Sequence, residues 1–288
     1  MPTDIQSKVL IVKPTICQVG KSKIDKKLSQ EVKDNHAMGD ESGQWTTKLW
    51  PPASLMPFTK IVGEAKKLHD RNTVVSQFGD LLPTIRFEEY RFAMDRFIER
   101  FDAAADHFSD PSVYAATIEE ARRIQNGEFR LENYPYPDQI RSKFKFTLFT
   151  APMPRAKDLT ISYLDDARID EIRVEIERNV VAAGNQASEQ VMQRVLECVH
   201  RIADKLAEPD AIFRDSLIDN LRDVLSIAPA LNIASDPSIV ALIQECSTKL
   251  VKDPDTLRVN SFSRESTAMH ARQIASNFGN MGGRKLAA

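Results

Sequence analysis

Apolar residues recur at helical spacing from Asp165 to Leu206 with no proline among them. Ile169, Ile172, Ile176, Val180, Ala183, Ala187, Val191, Val195, Val199, Ile202 and Leu206 advance 37 residues in ten steps, a mean of 3.7, which predicts one continuous helix. At 1.5 Å per residue it extends roughly 60 Å, so it needs partners along its whole apolar stripe.

A second strong helical pattern covers Thr84 to Phe108, with Phe87, Tyr90, Met94, Phe97, Ile98, Phe101, Ala105 and Phe108 on one face. Five of the fourteen phenylalanines lie in this stretch, Phe92 included, which makes it the expected core of the N-terminal half. Shorter helices are expected from Ser22, as the cap of the Ile24, Leu28, Val32 repeat, over Ala53 to His69, and from Pro111 to Gln125, where Asn126-Gly127 stops the pattern. Extended residue types predict a strand or two from Val9 to Val19, interrupted at Pro14, and further strands at Trp45 to Trp50, Thr73 to Phe78 and within KFKFTLFT.

The prolines of APMPRAKD mark the expected boundary between a mixed half and a helical half. Beyond the long helix, Ala211 to Ser226 and Ser238 to Val251 read as two more helices, the second opened by Asp236-Pro237. From Lys252 the pattern gives way to Ser, Thr, Asn and Gly, which predicts a flexible tail with at most a short helix near Glu265 to Asn277, dispensable for folding from about Phe262 to Ala288. The expected architecture is α+β and predominantly helical. Its expected divisions are a mixed region 1–157, a helical region 158–251 and a tail 252–288.

Composition refines this picture modestly. No apolar run reaches the ~20 residues of a membrane span, and the N-terminus has no signal-peptide pattern, so a cytoplasmic protein is expected. Cys17, Cys198 and Cys246 are an odd, widely spaced set that suggests core thiols rather than disulfides or zinc ligands. The formal charge of −2 hides an uneven spread. Residues 1–34 carry seven lysines against four acids, whereas residues 165–220 carry thirteen acids against seven basic residues.

No catalytic residue, cofactor or metal site is called for by any motif. The segment TICQVGKS (Thr15–Ser22) sits where a phosphate-binding loop would, but Thr15 occupies the place of its first glycine and no hydrophobic run ending in Asp follows to hold magnesium. The five histidines have no metal-binding spacing, and Asp165, Asp166, Asp170 and Glu171 are explained by the dipole of the helix they open. Enzymatic activity is therefore not expected, unless residues distant in sequence assemble a site.

The candidate binding residues are basic. Lys21, Lys23, Lys26 and Lys27 place four charges within seven residues, and Arg141, Lys143 and Lys145 interleave with phenylalanines. On a strand, Lys143 and Lys145 would share one face and Phe144 and Phe146 the other. Solvated lysines over a phenylalanine core explain that alternation, and a basic nucleic-acid face is the alternative.

Four stretches carry a resemblance: GKSKIDKKLSQEV (20–32), KLWPPASLMPFTKIVGEAKKLHDR (48–71), ENYPYPDQIRSKFKF (132–146) and FRDSLIDNLRDVLSIAPALNIASDP (213–237). Together they resemble a family of tailed-bacteriophage proteins of unknown function. The resemblance implies a common fold, a viral origin and a host bacterial cytoplasm, with no catalytic residues to carry over.

Two functional expectations follow. The first is a non-enzymatic protein that binds single- or double-stranded DNA as an accessory of viral DNA metabolism, through the lysines and Arg141 named above. The second is a helical adaptor or inhibitor that docks on a viral or host protein through the acidic long helix. The small residues Ala183, Gly184 and Ala187, with Val191, further suggest a homodimer paired along the middle of that helix.

Overall fold

The computed structural model describes residues 5–159, 162–208 and 212–279. Helix α1 (Ile5–Lys8) leads into strand β1 (Val9–Cys17), followed by β2 (Ser22–Ile24), α2 (Lys26–Asn35) and β3 (Thr46–Lys48). Helix α3 (Pro52–Asn72) precedes two short strands, β4 (Val74–Ser76) and β5 (Gly79–Pro83). Helices α4 (Phe87–Ser109) and α5 (Pro111–Gln125) and strand β6 (Lys145–Pro152) complete the mixed half. Then come the long α6 (Asp166–Ala207), α7 (Ser216–Leu231), α8 (Pro237–Lys249), α9 (Pro254–Val259) and α10 (Ser261–Gly279). With 68% helix and 11% strand, the fold is α+β and mostly helical.

The chain divides into two compact units, and both are discontinuous in sequence. One comprises Met1–Lys13, His69–Tyr90 and Thr150–Ala288; the other comprises Pro14–Leu68 and Arg91–Phe149. The division therefore falls within elements rather than at the proline-rich stretch near 157. A four-stranded sheet runs in the order β4-β5-β1-β6, and β1 pairs antiparallel with β5 from Val9 opposite Pro83 to Val12 opposite Asp80.

In the first unit, α6 carries the core. Asp165 caps it by accepting from the Arg168 N–H at 2.7 Å. Its buried stripe begins at Ala183 and continues through Val191, Val195, Val199, Ile202 and Leu206. The half before Ala183 contributes no fully buried residue, and Ile169, Ile172 and Ile176 stay half-exposed there. Gln190 holds α6 to the edge strand, because its Oε1 accepts from the Val75 N–H at 2.9 Å and its Nε2 donates to the Val75 carbonyl at 2.7 Å. One amide thus satisfies the two groups that an edge strand would leave open.

The expected flexible tail is largely helical and packed. Residues 261–279 form a 19-residue helix that packs along α6, burying Thr267, Ala268, Ala271, Ile274 and Phe278. Small residues at three- and four-residue spacing allow close helix approach, and they register weakly as an apolar pattern. The remaining residues of the expected tail, 280–288, lie outside the described residues. Helix α7 also starts later than the spacing predicts, at Ser216, with Phe213 buried ahead of it; residues 209–211 lie outside the described residues.

The second unit is built on aromatic packing. Phe58 stacks on Phe144 with ring centroids 4.5 Å apart, Phe101 and Phe108 close around them edge-on, and Trp50 meets Phe108 edge-on in turn. This agrees with the expected role of the α4 face, except that Phe92 is exposed. A π-face prefers such tilted or offset neighbours, which fixes ring orientation as well as burying area.

Candidate functional site

The basic N-terminal segment folds differently from the helix expected at Ser22. Residues 22–24 form an antiparallel ribbon with β3, in which Ser22, Lys23 and Ile24 oppose Lys48, Thr47 and Thr46. The helix cap is Asp25 instead, whose carboxylate accepts from the Leu28 N–H at 2.9 Å. The phosphate-loop likeness of residues 15–22 dissolves with this, since strand, not helix, follows Gly20.

Asp25 also fixes its neighbour across the ribbon. Its N–H donates to the Trp45 carbonyl at 3.0 Å, and the Trp45 N–H donates to Ser29 Oγ at 2.8 Å. The backbone of Trp45 is thereby tied to the first turn of α2 at both ends, while the side chain remains 51% exposed. Lys26 and Lys27 stand in that same turn, which holds no acidic residue. Cations there add to the positive end of the helix dipole, and the Asp25 carboxylate at the cap is the acidic group set against them.

Lys21 and Lys23 meet no acid among the described residues. Lys21 Nζ donates to Thr59 Oγ1 at 3.2 Å and Lys23 Nζ to Asn133 Oδ1 at 2.6 Å, and both acceptors are neutral. Among the described residues, none of Lys21, Lys23, Lys26, Lys27, Lys143 and Lys145 forms an ion pair. Lys23, Lys26 and Arg130 line one concavity of about 310 Å³, together with Glu128 and Glu132. Lys143 lines an adjoining one of about 470 Å³, and the two share Leu49 and Asn133 as walls.

Three sequence expectations change. Lys143 belongs to a 3-10 turn, Arg141–Lys143, rather than to β6, so it does not alternate with Lys145 along a strand. Lys145 is exposed on β6 and lines neither concavity. Arg141 is spent within the fold: Nε donates to Asp106 at 2.5 Å and Nη2 to Asp102 at 3.0 Å. Sequence reasoning also overlooked Trp45, Arg130 and Asn133. Trp45 had a signal in retrospect, as a tryptophan set in the polar run SGQWTT.

The expected self-association residues lie elsewhere and are already occupied. Ala183, Ala187 and Val191 are each 1% exposed within a single chain. Ile5 and Ala234 close over Gly184, between the first two of them. That face offers no surface to a second copy.

One buried polar cluster in the first unit stands apart. His69 is 6% exposed, with Nδ1 2.7 Å from the Tyr90 hydroxyl and Nε2 3.0 Å from Asp80. Burial first, and the Asp80 charge second, push the Tyr90 phenol well above its ordinary range, so the hydroxyl is held neutral. This chain of bonds ties α3, β5 and α4 together. Among the described residues no group of three or more His, Cys, Asp or Glu could hold a metal ion, and no helix is long and apolar enough to cross a membrane.

No family model matches the chain, and no curated protein or solved structure does so either.

Proposed function

We propose that this protein binds single-stranded nucleic acid through the face carrying the β2–β3 ribbon and the start of α2. The observation that carries the reading is an exposed indole, Trp45, whose backbone is fixed beside lysines that form no ion pair among the described residues. Single-strand binding needs a cationic track for phosphates and an aromatic platform for bases, and both are supplied here by neighbouring residues. Lys21, Lys23, Lys26, Lys27 and Lys143 serve the phosphates, while Arg141 is left out because two aspartates already neutralise it. DNA in a viral setting, within an infected bacterium, rests on the resemblance to tailed-phage proteins.

The test is a mobility-shift assay with single-stranded and duplex DNA at two salt concentrations. The proposal expects a shift at low salt that favours the single strand and weakens steeply as salt rises. Trp45→Ala should weaken single-strand binding by about 1–3 kcal/mol, the contribution of one stacked base. No shift with either form at low salt would overturn the proposal.

A second reading has one observation in its favour. The first half of α6 leaves Ile169, Ile172 and Ile176 half-exposed and Val174 and Val181 more than half-exposed, among acidic side chains. A basic partner helix laid on that stripe would bury it, which is the adaptor alternative. Recovery of one stoichiometric, nuclease-insensitive protein partner would favour this reading over nucleic acid.

A further inference from the structure

A concavity of about 620 Å³ runs along α5 in the second unit, and neither lysine nor arginine lines it. One wall is a single helical face, since Pro111, Tyr114, Ala115, Ile118 and Glu119 follow at offsets of three, four, seven and eight residues. The other wall is the turn 131–137, where Leu131 and Tyr136 are 60% and 72% exposed. That turn is fastened to the helix. The Tyr114 hydroxyl donates to the Pro135 carbonyl at 2.6 Å, and Gln125 Nε2 donates to the Tyr134 hydroxyl at 2.6 Å. The groove is therefore formed before anything enters it, with two large apolar side chains standing open to solvent.

The chemistry of the walls selects the occupant. The turn offers an incoming strand no continuous ladder, because Pro135 and Pro137 carry no N–H and those of Asn133 and Tyr134 already donate to the Arg130 and Leu131 carbonyls. The occupant must hold an extended shape without backbone pairing. Polyproline II does so, and aromatic-lined grooves receive its proline rings. From Pro111 to Glu119 the α5 wall spans about 12 Å at 1.5 Å per residue, the length of roughly four polyproline II residues at 3.1 Å each. Charge adds a second selection. Glu119 and Glu132 both line the groove, and the one ion pair of Glu119, with Arg122, is exposed and long at 3.7 Å. Such a lining repels phosphates and attracts lysine or arginine.

We propose that this groove docks a proline-rich segment of a partner protein, extended as polyproline II and flanked by basic residues. It stands independently of the nucleic-acid reading, which concerns the basic face.

The test is fluorescence anisotropy with the full-length protein and a labelled peptide of eight prolines flanked at each end by two arginines. Two comparison peptides replace the prolines with glycine and serine, or the arginines with glutamate. The arginine-flanked proline peptide should bind at least tenfold more tightly than either. Tyr136→Ala and Glu119→Lys alter exposed side chains, so both variants should melt as the wild type does. Each should weaken binding of that peptide several-fold, and Glu119→Lys should strengthen binding of the glutamate-flanked one. Equal binding of the glycine-serine peptide would reduce the effect to charge alone and overturn the proposal. Absence of saturable binding, or binding that neither variant changes, would overturn it too. A basic amphipathic helical peptide that displaces the proline peptide and binds more tightly would assign the groove to a helix instead.

Discussion

Gly184 and Ile5 approach so closely that a methyl group on residue 184 would lie 2.5 Å from Ile5 Cδ1. The glycine in the middle of α6 is therefore a seat for the N-terminal helix of the same chain. Gly184→Ala would ordinarily favour a helix by close to 1 kcal/mol through propensity. Here a Cβ at residue 184 forces the buried end of the Ile5 side chain to shift, and overpacking of this kind costs about 1–3 kcal/mol against that gain. The variant should be less stable in urea melts, and adding Ile5→Ala should recover part of the loss, because the colliding atom is the end of a side chain. A Gly184→Ala protein more stable than wild type would show that Ile5 does not occupy this seat.

Helix α10 should be required for folding. Ile274 is fully buried and Phe278 nearly so, against the core that α6 organises. Ile274→Ala should cost about 2–5 kcal/mol from lost burial and the cavity left behind. Ending the chain after Asn260 should lower the melting temperature by many degrees or leave the protein insoluble. A truncated chain that melts like the full one would contradict the packing.

Alkaline pH should destabilise the protein through buried groups that hold their protons only while the chain is folded. Burial pushes the Tyr114 phenol and the Cys246 thiol up to about 12, and raises Tyr90 further. Each group keeps its proton in the folded state after the unfolded chain has released it. The stability they contribute is therefore fully present below the unfolded values of about 9 to 10 and is lost as pH rises towards 12. Urea melts between pH 8 and 12 should show a progressive fall that Tyr114→Phe makes shallower. Flat stability across that range would refute the assignment.

How far the sequence could be read depended on the size of the residues involved. The α6 stripe was legible because branched residues mark most of its turns on either side of Ala183 and Ala187, and Asp236-Pro237 announced α8 by cap chemistry alone. Helix α10 was not, since alanine and threonine bury little area each and matter only where another helix comes close. The strand GDLLP escaped because its partner, β1, lies some seventy residues earlier. At the candidate site, the lysines were visible as charge, but their freedom was not. Arg141 looked equivalent to them until Asp106 and Asp102, 35 and 39 residues away, were brought to it. Lys23 met only the neutral Asn133.

That contrast supplies the most direct measurement: the salt dependence of affinity for a thymidylate oligonucleotide, in wild type, Lys23→Ala and Arg141→Ala. Each neutralised phosphate of a single strand adds about −0.7 to the slope of log affinity against log salt, so five lysines predict a wild-type slope of roughly −3 to −4. Lys23→Ala should reduce its magnitude by about 0.7, and Arg141→Ala, whose charge is already paired, should leave it unchanged. Absence of binding at the lowest salt, or a slope that falls with Arg141→Ala and not with Lys23→Ala, would contradict the account.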